Sequence, residues 1–265
     1  MSARTRALAL CIAFVLALLL TAALAPLPFS VAYPGMTANV LGDDKGKPVI
    51  TITDADTRRT SGQLRMTSIV ATGPEASVRL LDVLKGWSRT DEAVMPREAV
   101  YPVGDSTEEI AEHNAEQMKE SQATATSAAL GRLRRSAGDV EDLKDVKVKL
   151  SLQDVGGPSA GLMFALGIVD KLDGDGAGHD LTGGRIVAGT GTITAGGKVG
   201  AVGGVPLKTQ AAHRDGATVF MVPEKECTDA RVELPKGMRL IPVTTLDGAV
   251  NALKALRAGG KVPTC

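Results

Sequence analysis

The strongest constraint on this chain lies at its N-terminal end. No charged residue occurs from Ala7 to Leu27, and Arg4 and Arg6 stand just before that run. An apolar stretch of about twenty residues matches the thickness of a hydrocarbon core and exceeds the apolar part of a usual secretory signal. Residues 1–32 are therefore expected to form a signal anchor or transmembrane helix. The short basic end should stay in the cytoplasm, with the rest of the chain outside. Ala23-Leu24-Ala25 has the small-x-small form of a cleavage site, although Pro26 follows it. A cleaved signal and a secreted product is thus the alternative.

The remaining composition suits a folded, exported domain. With 265 residues, 44% of them hydrophobic, the chain can bury a full core. Lys and Arg number 30, as do Asp and Glu, and aromatics make up 3%. That balance offers neither a basic stripe nor a stacking surface, so no nucleic acid partner is expected. Cys227 and Cys265 would lie in the exported part, where an oxidising compartment makes them a candidate disulfide. No Cys/His cluster has the spacing of a metal site, so no metal is expected.

Patterning beyond the anchor gives a mixed α+β order. Residues 33–59 read as a linker with one short strand at Pro48–Thr53, and residues 60–258 as one compact domain. Gly62–Val70 alternates apolar and polar residues, as a half-buried strand does. Val78, Leu80, Leu81 and Leu84 suggest a short helix ending at Gly86. Ser106, Thr107, Glu108 and Glu109 open a long helix expected to stop at Gly131. Its packed face would hold Ile110, Met118, Ala125 and Ala129, while Arg132–Asp145 reads as a surface connection. Val146–Leu152 alternates again. Leu162–Leu172 is apolar nearly all round and should be a buried helix. Further strands are expected at Ile186–Ala188, Thr218–Val222 and Leu240–Val243, with helices at Leu207–Arg214 and Leu246–Ala258. Residues 259–265 form a tail.

Two segments carry the chemistry. Gly156-Gly157-Pro158-Ser159-Ala160-Gly161 places a serine on a glycine-lined turn at the start of a helix. Gly203-Gly204-Val205-Pro206-Leu207-Lys208, continuing to Ala211-Ala212, places a lysine at the head of an apolar segment. A serine hydroxyl attacks only when something takes its proton. A lysine can do so if desolvation holds its amine neutral near physiological pH. The N–H groups of Ala160 and Gly161, in the first helical turn, are candidates to hold an oxyanion. Read blandly, Ser159 caps a helix and Lys208 is a solvated helix-start lysine. Other motifs are weaker. Gly191 to Lys198 hints at a phosphate loop, but Val199 stands where Ser or Thr is needed, so neither ATP nor any other cofactor is expected. Asp173 to Gly178 has an Asp-x-Asp pattern without the closing Glu of a calcium loop.

At these positions the chain resembles the proteolytic domain of the Lon proteases. Gly157-Pro158-Ser159-Ala160-Gly161 is similar to that family's nucleophile motif, and Gly203-Gly204 through Lys208 to Gly216 to its lysine motif. Thr190-Gly191 resembles the Thr-Gly that precedes the lysine, and Met118-Lys119-Glu120-Ser121 the Met-x-Glu-Ser helix at the front of the domain. The likeness runs from about Gly62 to Ala258. It implies a Lon-like compact fold over residues 60–258, with Ser159 as nucleophile, Lys208 as base and Thr190 orienting Lys208. Pro96–Pro102, Leu181–Arg185 and Pro263-Thr264-Cys265 resemble membrane-anchored bacterial proteins that join an anchor, a PDZ domain and a Lon-type domain. Two departures stand out. The stretch between Gly131 and Val146 is too short for a PDZ module. Gly156 also holds the place where many relatives carry Asp, leaving Asp154 further back.

The resemblance implies an ATP-independent, membrane-anchored serine endopeptidase acting on extracytoplasmic proteins or peptides. The family's habit of forming rings makes a homo-oligomer an expectation as well. One alternative is a catalytically idle scaffold or regulator at the membrane. The other is an α/β-hydrolase-like esterase, because Gly157-x-Ser159-x-Gly161 also fits a nucleophile elbow. The esterase would need His179 or His213 at the serine.

Overall fold

The computed structural model describes residues 2–103, 106–137, 145–152 and 155–265. The expected residue Asp154 and most of the connection after Ala137 therefore lie outside the described residues. In chain order the first elements are α1 (Ala3–Leu24), β1 (Phe29–Asn39), β2 (Asp43–Asp44), β3 (Lys47–Pro48), β4 (Ile50–Thr53) and β5 (Gln63–Ala71). Then come α2 (Leu80–Trp87), β6 (Ala93–Pro96), α3 (Arg97–Val100), α4 (Thr107–Ala137), β7 (Lys147–Leu150) and α5 (Gly161–Leu172). The last are β8 (Ile186–Gly189), β9 (Thr192–Ile193), β10 (Val199–Gly200), α6 (Val205–Arg214), β11 (Val219–Pro223), α7 (Cys227–Ala230), β12 (Arg239–Val243) and α8 (Leu246–Arg257). The fold is α+β, as the order of patterns predicted.

The chain divides into two compact units. One comprises residues 1–33 and 71–110. In it α1 is long and apolar enough to cross a membrane, with a mean hydropathy of 2.8. The first residues of β1 pair antiparallel with β6, Phe29 opposite Pro96 and Ala32 opposite Ala93. Val31, Val78 and Val83 form its small core. Tyr101 donates from its hydroxyl to the Thr72 carbonyl, which ties the segment after α3 back to the unit.

The other unit, residues 34–70 and 111–265, holds the larger core. Its strands run in the order β12, β11, β8, β5 and β1. The pairs β12–β11, β11–β8 and β8–β5 are parallel. Continuous apolar runs such as Val219–Val222 suit parallel strands covered on both faces, and all of β11 is buried. Residues 161–170 of α5 are also wholly buried, as expected of a helix apolar all round. A separate two-stranded antiparallel ladder of β4 and β7 sets Ile50 against Leu150.

Four local expectations fail. Phe29–Asn39, read as the end of the anchor and a linker, is an 11-residue strand with Val31, Ala32 and Ala38 buried. Gly131 does not stop α4, which continues to Ala137. Arg132, placed in a surface connection by its charge, is instead 5% exposed and pairs with Asp247 of α8 at 2.9 Å. That ion pair gives the extra turn of helix a reason to form. Finally, the alternating run Val146–Leu152 gives a shorter strand, which ends at Leu150.

Candidate active site

The serine turn is fastened from both sides. From α4, the Asn114 carbonyl accepts from Gly157 N–H at 3.0 Å, and the Ser121 hydroxyl donates to the Pro158 carbonyl at 3.0 Å. Positions 114 and 121 are two helical turns apart, so one face of α4 supplies both contacts. From the other side, the Ser159 carbonyl accepts from Gly191 N–H at 2.9 Å and from Thr190 Oγ1 at 3.3 Å. Leu162 N–H closes the bracket by donating to the Gly191 carbonyl at 3.0 Å.

Ser159 is half-buried and does not cap the helix. The cap position of α5 is Ala160, with no side-chain capping bond. Among the described residues the Ser159 hydroxyl has no hydrogen-bond partner. Of the two expected oxyanion donors, Gly161 N–H reaches the Pro158 carbonyl in a long 3.4 Å bond. Ala160 N–H has no partner among the described residues.

Lys208 reaches this bracket from α6. The helix begins after Gly204, whose φ of +69° is left-handed. A Cβ there would also stand 3.0 Å from two carbons of Ile69, so the position requires glycine. Pro206 then occupies the first turn, where its missing N–H costs nothing. Val205, Lys208, Thr209 and Ala212 follow the three-and-four spacing of one helix face, and all are buried. Lys208 is therefore held inside by its neighbours and is only 3% exposed. Its Nζ donates to Thr190 Oγ1 at 3.1 Å. Thr190 lies directly after β8, with its N–H on the Met221 carbonyl of β11 at 3.1 Å.

Desolvation by this burial pulls the Lys208 pKa down to about 8, against an opposing pull from the negative charge of Glu226. Glu226 itself is nearly buried, and desolvation raises its pKa. Its Oε1 accepts from Val202 N–H at 3.2 Å, in the loop leading to α6. Nothing in the local pattern around Glu226 points to this role, since only the tertiary fold brings it near Lys208. Ser121 was visible as part of a motif, but its role as a clamp on Pro158 was not.

The structure thus brings Ser159, Thr190 and Lys208 together through Thr190, without a hydrogen bond between the Ser159 hydroxyl and the lysine. The histidines are engaged elsewhere or exposed. His113 bonds Gln117 at 2.9 Å, His179 Nδ1 meets Asp175 at 3.1 Å, and His213 is exposed towards the end of α6. Asp175 also accepts the N–H groups of Ala177 and His179, so its oxygens serve the loop itself. Cys227 and Cys265 form a disulfide with Cα atoms 5.3 Å apart.

The family model for the Lon protease (S16) C-terminal proteolytic domain matches residues 79–255, and the chain belongs to that family. It is therefore of the serine peptidase class, which sets aside the esterase alternative. Similar proteins include the Lon protease of Chloroflexus aggregans, 33% identical over 140 residues, or 50% of this chain and 16% of that protein. Lon protease 1 of Myxococcus xanthus is 28% identical over 188 residues, covering 67% of this chain and 22% of its own length. The Lon protease of Clostridioides difficile is 41% identical over 83 residues, 31% of this chain and 10% of that protein. The chain spans less than a quarter of each of these relatives.

Proposed function

We propose that this chain is a membrane-anchored serine endopeptidase that works without ATP on proteins outside the cytoplasm. Ser159 is its nucleophile and Lys208 its base. The observation that carries the mechanism is the position of Thr190. Its one hydroxyl proton goes to the Ser159 carbonyl, so its oxygen accepts from Lys208 Nζ. A neutral amine that donates there keeps its lone pair free for the serine proton.

In the reaction, the Ser159 hydroxyl turns towards Lys208, loses its proton to the amine and attacks the peptide carbonyl. Ala160 N–H, which has no other partner among the described residues, stabilises the oxyanion. Lys208 then returns the proton to the leaving amine. Water, deprotonated by the same lysine, releases the acyl group from Ser159 and restores the hydroxyl. Catalytic hydrogen bonds are often long or unmade before substrate binds, which accommodates a Ser159 hydroxyl with no partner among the described residues.

The anchor is α1, and Arg4 and Arg6 favour a cytoplasmic N-terminus with the peptidase outside. The cleavage of an unfolded protein, with and without ATP, tests the proposal in the full chain beside Ser159→Ala and Lys208→Ala. Loss in both variants and indifference to ATP are expected. Cleavage that survives Ser159→Ala would refute the nucleophile. No cleavage by any form would favour the idle scaffold, a reading to which the missing Ser159–Lys208 hydrogen bond lends weight.

A further inference from the structure

The short helix α2 has three faces rather than two. Val83 and Gly86 point inward, Gly86 so closely that a Cβ there would stand 2.6 Å from Val94. Asp82 and Lys85 make a polar side. Between them lies an apolar stripe turned to solvent: Leu81 and Trp87 are each 71% exposed, Leu84 49% and Leu80 37%. Four large apolar side chains on two turns of helix, with no cover, mark a binding surface.

The chain itself says what lies over it. α1 ends at Leu24, and Leu27 N–H donates to the Val78 carbonyl at 2.8 Å, two residues before α2 begins. Cα atoms of α1 and α2 come within 8 Å of one another. Three residues span at most roughly 10 Å, and the headgroup layer beyond the hydrocarbon core is about 5–8 Å thick. If α1 crosses the bilayer, α2 must start at the membrane surface. A tryptophan at the end of an apolar stripe, flanked by a polar side, is the composition of an interfacial helix.

We propose that the Leu80–Leu81–Leu84–Trp87 face of α2 lies in the lipid headgroup layer and seats its unit against the membrane. This rests on the reading of α1 as an anchor. Trp87 is the one tryptophan of the chain, so its fluorescence reports on this helix alone. The full chain would be reconstituted in phosphatidylcholine vesicles carrying lipids brominated near the headgroup end of the acyl chain, and resistance to carbonate extraction measured in parallel. Carbonate-resistant protein, with Trp87 quenched by bromolipid and shielded from aqueous iodide, is the expected result. Leu81→Asp with Leu84→Asp should abolish the lipid quenching while leaving extraction resistance and cleavage of an unfolded protein unchanged. Carbonate-resistant protein whose Trp87 is open to iodide would overturn the proposal and leave the anchor standing. Trp87 shielded from iodide but not quenched by lipid would mean a protein cover, a second copy or another partner, and would overturn it too. Protein removed by carbonate would sink the anchor and this inference with it.

Discussion

Lys208 Nζ and Thr190 Oγ1 meet at 3.1 Å, in a bond that links the buried lysine, through Thr190, to the backbone of the serine turn. Thr190→Val keeps the shape and removes both the acceptor for the amine and the donor to the Ser159 carbonyl. Each of these two hydrogen bonds is worth about 1 kcal/mol, so kcat is expected to fall roughly 10- to 30-fold. Thr190→Ser should recover most of the loss. Steady-state kinetics on a fixed unfolded substrate would show it, and a Val variant as fast as the parent would remove Thr190 from the mechanism.

Burying Lys208 has a cost that pH can reveal. Its folded pKa of about 8 lies below the ordinary 10.5. Below pH 8 both states carry the proton and the fold bears a buried ammonium. Between about 8 and 10.5 the unfolded chain holds more protons, so stability from this group rises with pH. The shift corresponds to about 3 kcal/mol, less about 1 for the bond to Thr190. Lys208→Met is therefore expected to stabilise the protein by about 2 kcal/mol at pH 7. The gain should shrink from pH 8 upward and turn into a loss of about 1 kcal/mol above 10.5, where only the missing bond to Thr190 remains. Denaturant unfolding across that range is the measurement, and a gain that grows with pH would contradict it.

In the proposed mechanism the same lysine sets the pH profile of the rate. Activity should rise through a midpoint of about 8 as the amine loses its proton. Ionised Glu226 holds that midpoint up by favouring the charged amine. Glu226→Gln removes the charge and keeps an acceptor for Val202 N–H, so the rising limb of kcat/KM should move to lower pH. An upward move, or none, would mean that Glu226 has no hold on the base.

The two chemical segments were legible because their signals are local. A glycine-lined turn before an apolar helix, and a lysine three residues beyond Val205 and four before Ala212, each reveal their geometry within ten residues. What escaped depends on distant partners. Gly131 is a sound stop signal by itself, yet Arg132 and Arg135 reach Asp247 of α8 and keep the helix going. The start of the expected linker, Tyr33-Pro34-Gly35, lies instead within β1, and beyond it the Ser68 hydroxyl donates to the Met36 carbonyl at 3.0 Å. Glu226 follows a strand and looks like any surface acid in a charged turn. Its bearing on Lys208 exists only once β11 and α6 have packed.

The Cys227–Cys265 bridge joins α7 to the tail across a sequence separation of 38. Closing a loop of that length removes unfolded-state entropy worth about 4 kcal/mol in the chain-entropy model. Cys265→Ser is therefore expected to lower unfolding stability by about 2–4 kcal/mol, and a reductant should lower the parent to the same level. The tail has apolar contacts of its own, since Val262 packs against the larger core. The disulfide contribution is separated from these by adding reductant to the Cys265→Ser variant, whose stability should not change further. Unfolding curves of parent and variant, each oxidised and reduced, check the bridge. A parent indifferent to reductant, with two free thiols by mass spectrometry, would show that it does not form.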